Sequence, residues 1–105
     1  GELHGRGVMY FPDGGWQSGT WDHGQADGDG EYVGEFGEKI IGTWKQGELF
    51  GFVEEYDPSG FRIFGGQYTH SRRNGYGVMY LLDGGRIEGE WFNGTLHGNA
   101  IYWYP

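Results

Sequence analysis

A chain of 105 residues is long enough for one domain, and its 19% aromatic share excludes a disordered tail, which is poor in such residues. A net charge of −8 opposes binding to phosphate backbones or anionic lipid by charge alone. Cysteine is absent, which excludes a disulfide framework and a thiolate metal site, and no apolar stretch approaches the ~20 residues of a membrane-spanning helix.

In chain order, Gly5-Arg6-Gly7 leads into Val8-Met9-Tyr10-Phe11, a short apolar run of strand type, and Pro12-Asp13-Gly14-Gly15 closes it with turn chemistry. Residues 16–21 then predict an outgoing strand, Asp22-His23-Gly24-Gln25 a tight turn and residues 29–35 a return strand. Residues 39–44 and 52–56 repeat that hairpin around Lys45-Gln46-Gly47-Glu48. In the third unit Ser71 replaces the turn glycine found at Gly24, Gly47 and Gly94, which predicts a turn of different shape at His70-Ser71-Arg72-Arg73. An extra residue lies between Gly60 and Gly66, where a lengthened turn or a β-bulge would absorb it. Strands joined by so few residues pair antiparallel. Glycine interrupts every window of helical length, so essentially no helix is predicted.

One phrase organises these elements: Gly-x-aromatic, then x-Gly nine residues after the first glycine. Gly19 and Trp21 are followed by Gly28, Gly42 and Trp44 by Gly51, Gly66 and Tyr68 by Gly75, Gly89 and Trp91 by Gly98. The leading glycines lie 23, 24 and 23 residues apart, the mark of a repeat array. The array divides into a partial repeat over 1–18, repeats at 19–41, 42–65 and 66–88, and a truncated one at 89–105, so the chain is expected to be a piece of a longer protein. Trp21, Trp44, Tyr68 and Trp91 form a column that would stack as a structural ladder, with the motif glycines leaving room for flat rings over the backbone.

No catalytic or cofactor-binding residue is assigned, because no nucleophile–base pair stands out. No metal site is assigned either. The four histidines, His4, His23, His70 and His97, never fall at i, i+2 or i, i+4, and His4 and His97 hold equivalent repeat positions. Residues 27–38 imitate part of a calcium loop, but Tyr32 stands where that loop needs glycine. Glu54 and Glu55, as neighbours in a strand, point to opposite faces. Asp29, Glu31 and Glu54 are expected on one face, with Glu31 and Glu54 side by side, as an acidic stripe suited to a basic peptide.

The run Gly89-Glu90-Trp91, Gly94, His97-Gly98 resembles the signature of the MORN repeat (membrane occupation and recognition nexus), and residues 19–28 and 42–51 are close variants. The resemblance spans the chain. It implies an all-β fold, a single-layered, twisted antiparallel sheet of joined hairpins. A narrower similarity rests on Gly47-Glu48-Leu49, Glu55-Tyr56-Asp57, Ile63-Phe64, Gly66-Gln67-Tyr68, Arg73, Tyr80 and Asp83-Gly84-Gly85, with Ser71 and the extra residue before Gly66. These resemble the N-terminal MORN region of SET-domain histone-lysine methyltransferases. That resemblance implies an S-adenosylmethionine-dependent parent of the nucleus and cytoplasm. This chain would be its accessory domain, binding no cofactor itself and engaging a protein partner or basic peptide such as a histone tail rather than nucleic acid. Phosphoinositide binding is the alternative the family suggests, and it is disfavoured because only Arg72 and Arg73 are adjacent bases. A scaffold or homodimer formed through open sheet edges is the other.

Overall fold

The computed structural model describes residues 2–105. Among them nine strands form one antiparallel sheet: β1 (Gly5–Tyr10), β2 (Trp16–Asp22), β3 (Gln25–Val33), β4 (Lys39–Lys45), β5 (Glu48–Tyr56), β6 (Arg62–Thr69), β7 (Arg72–Tyr80), β8 (Arg86–Phe92) and β9 (Thr95–Trp103). Their order in space is their order in sequence, and no helix occurs among the described residues. The molecule measures 50 × 26 × 18 Å.

Two kinds of bend alternate. At one side of the sheet, two-residue turns join the strands of each hairpin. Their central residues, His23-Gly24, Gln46-Gly47, His70-Ser71 and Asn93-Gly94, all have positive φ, the type I′ geometry whose twist suits paired strands. The turn at Ser71 therefore does not differ in shape from the others. Ser71 accepts a φ of 61° in the place of glycine, and its Oγ receives the Leu49 amide at 3.0 Å, which offsets part of the strain. Each turn is also tied to the preceding repeat: Gly24 donates to the Leu3 carbonyl, Gly47 to Ala26, Ser71 to Leu49 and Gly94 to Arg73, at 2.8–3.1 Å. At the other side, residues 11–15, 34–38, 57–61 and 81–85 form wider connections. Asp13 and Asp83 accept amides from Gly15 and Gly85 there, as the Asp-Gly-Gly pattern requires.

The extra residue before Gly66 is absorbed by a bulge. Tyr56 pairs with Arg62 and Glu55 with Phe64, so Ile63 is the unpaired residue and the connection keeps its usual length. A further register shift recurs inside every hairpin, close to Gly28, Gly51, Gly75 and Gly98. Those glycines have φ between 74° and 120°, which the pattern x-Gly supplies. The return strands β3 and β5 begin at Gln25 and Glu48, earlier than the expected 29 and 52, because the chain continues as strand on both sides of the bulge.

One face is buried. Trp21, Trp44, Tyr68 and Trp91 retain 3–8% of their surface exposed, and Val53 and Phe64 retain none. Each aromatic lies opposite the bulge glycine of the preceding repeat, in the pairs Gly5–Trp21, Gly28–Trp44, Gly51–Tyr68 and Gly75–Trp91. The Trp44 and Trp91 rings extend over the next glycine: a Cβ added at Gly30 would stand 3.3 Å from the Trp44 ring, and one at Gly77 3.4 Å from that of Trp91. The Trp21 indole donates to the Gly7 carbonyl at 3.1 Å, so its polar edge is satisfied.

Two substitutions separate strain from hydrogen bonding at the third turn. Ser71→Ala loses the bond from Leu49 and keeps the positive φ, with an expected cost of about 1 kcal/mol. Ser71→Gly loses the same bond but relieves the backbone, and should unfold in urea at a higher midpoint than Ser71→Ala.

Candidate functional site

The face opposite the buried ladder carries ordered charged side chains among exposed apolar ones. One row across it reads Val8, Ser18, Glu31, Ile41, Glu54, Gly65, Val78, Glu88 and Ile101, each residue paired with the next. Beside it lie Lys39, Tyr56, Arg62, Tyr80, Arg86 and Trp103, in which cations alternate with aromatics. Acids and bases of the two rows meet in pairs. Lys39 Nζ stands 3.3 Å from Glu31, Arg62 donates to Glu54 at 2.8 Å and Arg86 to Glu88 at 3.3 Å. The guanidinium of Arg62 also lies 4.5 Å from the Tyr80 ring centre, and that of Arg86 4.9 Å from Trp103.

The acidic stripe accordingly has a different character from the one expected. Asp29, Glu31 and Glu54 do share this face, but Glu31 and Glu54 are not side by side. Ile41 intervenes, which sets their backbones two strand spacings apart, about 10 Å. Both are neutralised by intrachain cations, and Asp29 accepts the Thr43 hydroxyl at 3.1 Å. The cations responsible were legible in principle: Lys39, Arg62 and Arg86 are spaced 23 and 24 residues apart, on the same period as the glycines.

The Arg62 hydrogen bond is the largest influence on Glu54 and holds its carboxyl below the ordinary range, against the opposing effect of burial. Glu88 is lowered in the same way, first by the Tyr76 hydroxyl at 2.7 Å and then by Arg86.

A second polar group is set into the buried face. Arg73 stands in a column otherwise made of Leu3, Ala26, Leu49 and Leu96, and Glu55 in one made of Met9, Tyr32, Met79 and Tyr102. Arg73 donates to both Glu55 oxygens, at 2.9 and 3.1 Å, and the Tyr68 hydroxyl adds a bond of 2.6 Å. The guanidinium lies 4.0 Å from the Phe64 ring centre. Burial pushes the Tyr68 phenol well above its usual pKa, with the Glu55 contact adding to it. Tyrosine in place of tryptophan, glutamate in place of an apolar residue and arginine in place of leucine thus form one coordinated replacement. Glu54 and Glu55 face opposite ways, as strand alternation requires.

The histidines are not all dispersed. His4 Nδ1 and His23 Nδ1 stand 3.4 and 2.8 Å from the same Asp22 oxygen, at one corner of the sheet. Spacing along the chain gave no sign of this, because His4 reaches Asp22 and His23 only through the pairing of β1 with β2. The other two, His70 and His97, lie elsewhere: His70 contacts Glu48 at 2.7 Å and His97 packs near Phe92.

Two measurements follow from these contacts. Arg73→Leu alone leaves Glu55 without its counter-ion and should cost about 2–3 kcal/mol in urea unfolding, whereas Glu55→Met with Arg73→Leu restores both apolar columns and should recover most of that loss. A carboxylate with a depressed folded-state pKa contributes stability above its unfolded pKa and loses it as pH falls through the folded one. The melting-temperature gap between the parent chain and Arg62→Gln should therefore be present at pH 7 and close below roughly pH 4.

Comparison with known proteins agrees with this architecture. The family model for the MORN repeat matches residues 1–16, 18–36, 66–86 and 88–105. The unmatched segment between them holds Val53, Glu55 and Ile63, yet its strands pair in the same order as the rest. Alsin of Rattus norvegicus is 34% identical over 84 residues, and alsin of Pan troglodytes and of Homo sapiens are each 33% identical over the same length. These alignments cover 75% of this chain and 5% of each relative, so the chain spans a small part of the curated proteins it matches. The matched glycine and aromatic columns are those that build the sheet, and the chain belongs to the MORN-repeat family, as a non-catalytic interaction module.

Proposed function

We propose that this module docks a basic segment of a protein partner, and that the acidic half of the sheet is where it binds. The observation that carries this reading is the distribution of charge. Twelve of the fifteen Asp and Glu, but only three of the seven Lys and Arg, fall within residues 1–57, which leaves −9 there against +1 over residues 58–105. Because the sheet order follows the sequence, that imbalance lies along the long axis of the molecule. A field of this shape attracts and orients a cationic chain over several ångströms and is weakened by salt. The paired carboxylates Glu31 and Glu54 would contribute by exchanging intrachain cations for those of the partner, and Asp29 would bind directly.

Within a longer parent, the finer reading is the N-terminal module of a SET-domain histone-lysine methyltransferase. It rests on the combination of Glu55, the Ile63 bulge, Tyr68, Ser71 and Arg73, which resembles that group. The module would hold a histone tail or other protein substrate for a catalytic domain that uses S-adenosylmethionine, in the nucleus and cytoplasm. A parent similar to alsin is the second reading, favoured by 33–34% identity over 84 residues.

The test is a titration of the chain with a lysine- and arginine-rich histone-tail peptide and with phosphoinositide vesicles, each at two salt concentrations. Expected is salt-sensitive peptide binding that Asp29→Lys with Glu31→Lys abolishes. Vesicle binding without peptide binding would overturn the proposal in favour of a lipid module, and peptide binding unchanged in the variant would remove the acidic surface from it.

A further inference from the structure

We propose that His4, Asp22 and His23 form a Zn2+ site that clips the segment before β1 to the β2–β3 turn. The donor set comes first. Two neutral imidazoles and one carboxylate are the mixed nitrogen and oxygen ligands that Zn2+ takes in sites with three protein ligands, where a fourth position is left for water or another side chain. The spacing is near what the ion needs. Zn2+ bonds of about 2.0–2.2 Å place tetrahedral donors roughly 3.3–3.5 Å apart. His4 Nδ1 stands 3.4 Å from Asp22 Oδ1, within that range, and the three ligand atoms lie within 4.8 Å of one another. His23 Nδ1 is hydrogen-bonded to the same oxygen at 2.8 Å, so the ion would replace that bond and the exposed ring would swing out by about 0.5 Å.

The backbone holds these groups in place without the metal. Gly24 donates to the Leu3 carbonyl at 3.0 Å, and Gly5 pairs with Trp21, so His4 is tied on both sides to the strand and turn that carry Asp22 and His23. Glu2 lies against Gly24 at the same corner, where its carboxylate adds negative charge. The side chains are 69%, 50% and 79% exposed, so an ion reaches them directly from solvent.

The trio is not a by-product of the repeat. At the equivalent junctions, Asp27 faces Lys45-Gln46, Phe50 faces Thr69-His70 and Asn74 faces Phe92-Asn93. None of these sets carries three ligands. Among the described residues, the three donors gather at the first junction.

Calorimetric titration of the tag-free, metal-free chain with zinc chloride tests the site. One ion should bind per chain. His4→Gln, Asp22→Asn and His23→Asn should each weaken binding at least ten-fold, since loss of an outer-shell partner alone costs 10–100-fold. His23→Asn preserves the turn, because asparagine takes positive φ readily. His70→Asn and His97→Gln should leave binding unchanged, and Zn2+ should shift the ring resonances of His4 and His23. Absence of saturable binding, or binding that survives in the His4→Gln/His23→Asn double variant, overturns the proposal.

Discussion

The seating of an aromatic ring on bare backbone is the contact from which the rest of this sheet follows. A flat ring must approach a neighbouring strand closely, and it does so where the facing residue lacks a Cβ, as Trp44 does over Gly30 and Trp91 over Gly77. That requirement accounts for Gly30 and Gly77, while the bulge glycines two residues earlier in those strands answer to their positive φ. It also fixes which face is apolar. A sheet with no second layer cannot bury its face against another element, so it buries rings against its own main chain. Trp21, Trp44 and Trp91 do this with almost no exposure.

The middle of the chain departs from that scheme and compensates within itself. Val53 occupies the position of Gly7, Gly30 and Gly77, and Phe64 fills the column held by Ile40 and Ile87. Both are completely buried. The bulge at Ile63 aims Phe64 at the buried face, and Arg73 covers its ring while bonding Glu55. On the opposite face the same strands carry Arg62 between Glu54 and Tyr80. Both faces of one region therefore hold an arginine placed between a carboxylate and an aromatic ring, though in different columns of the repeat.

The architecture was legible because its causes are local and periodic. Glycine marks bulges and turns at a constant interval, and hairpins this short leave one way to pair. Ser71 was misread for the opposite reason: its substitution looked like a change of turn, whereas a hydrogen bond from Leu49, 22 residues away, lets serine take the glycine conformation. The Glu55–Arg73 and Glu54–Arg62 pairs were hidden because strand pairing joins positions 18 and 8 residues apart. Composition suggested free carboxylates where the fold supplies counter-ions. The corner formed by His4, Asp22 and His23 escaped notice for the same reason, since ligand spacing rules describe one helix or loop, not neighbouring repeats.

Because strand order equals chain order, each strand has support only from the two beside it. Loss of structure can therefore begin at either end and advance one hairpin at a time, without the whole sheet giving way. Val53 and Phe64 sit near the centre of that sequence, and β9 at one end is exposed along its full length. Slow amide exchange measured on these 105 residues alone should accordingly be concentrated in β4–β7 and decline outward, with the middle of the sheet acting as the rigid plate.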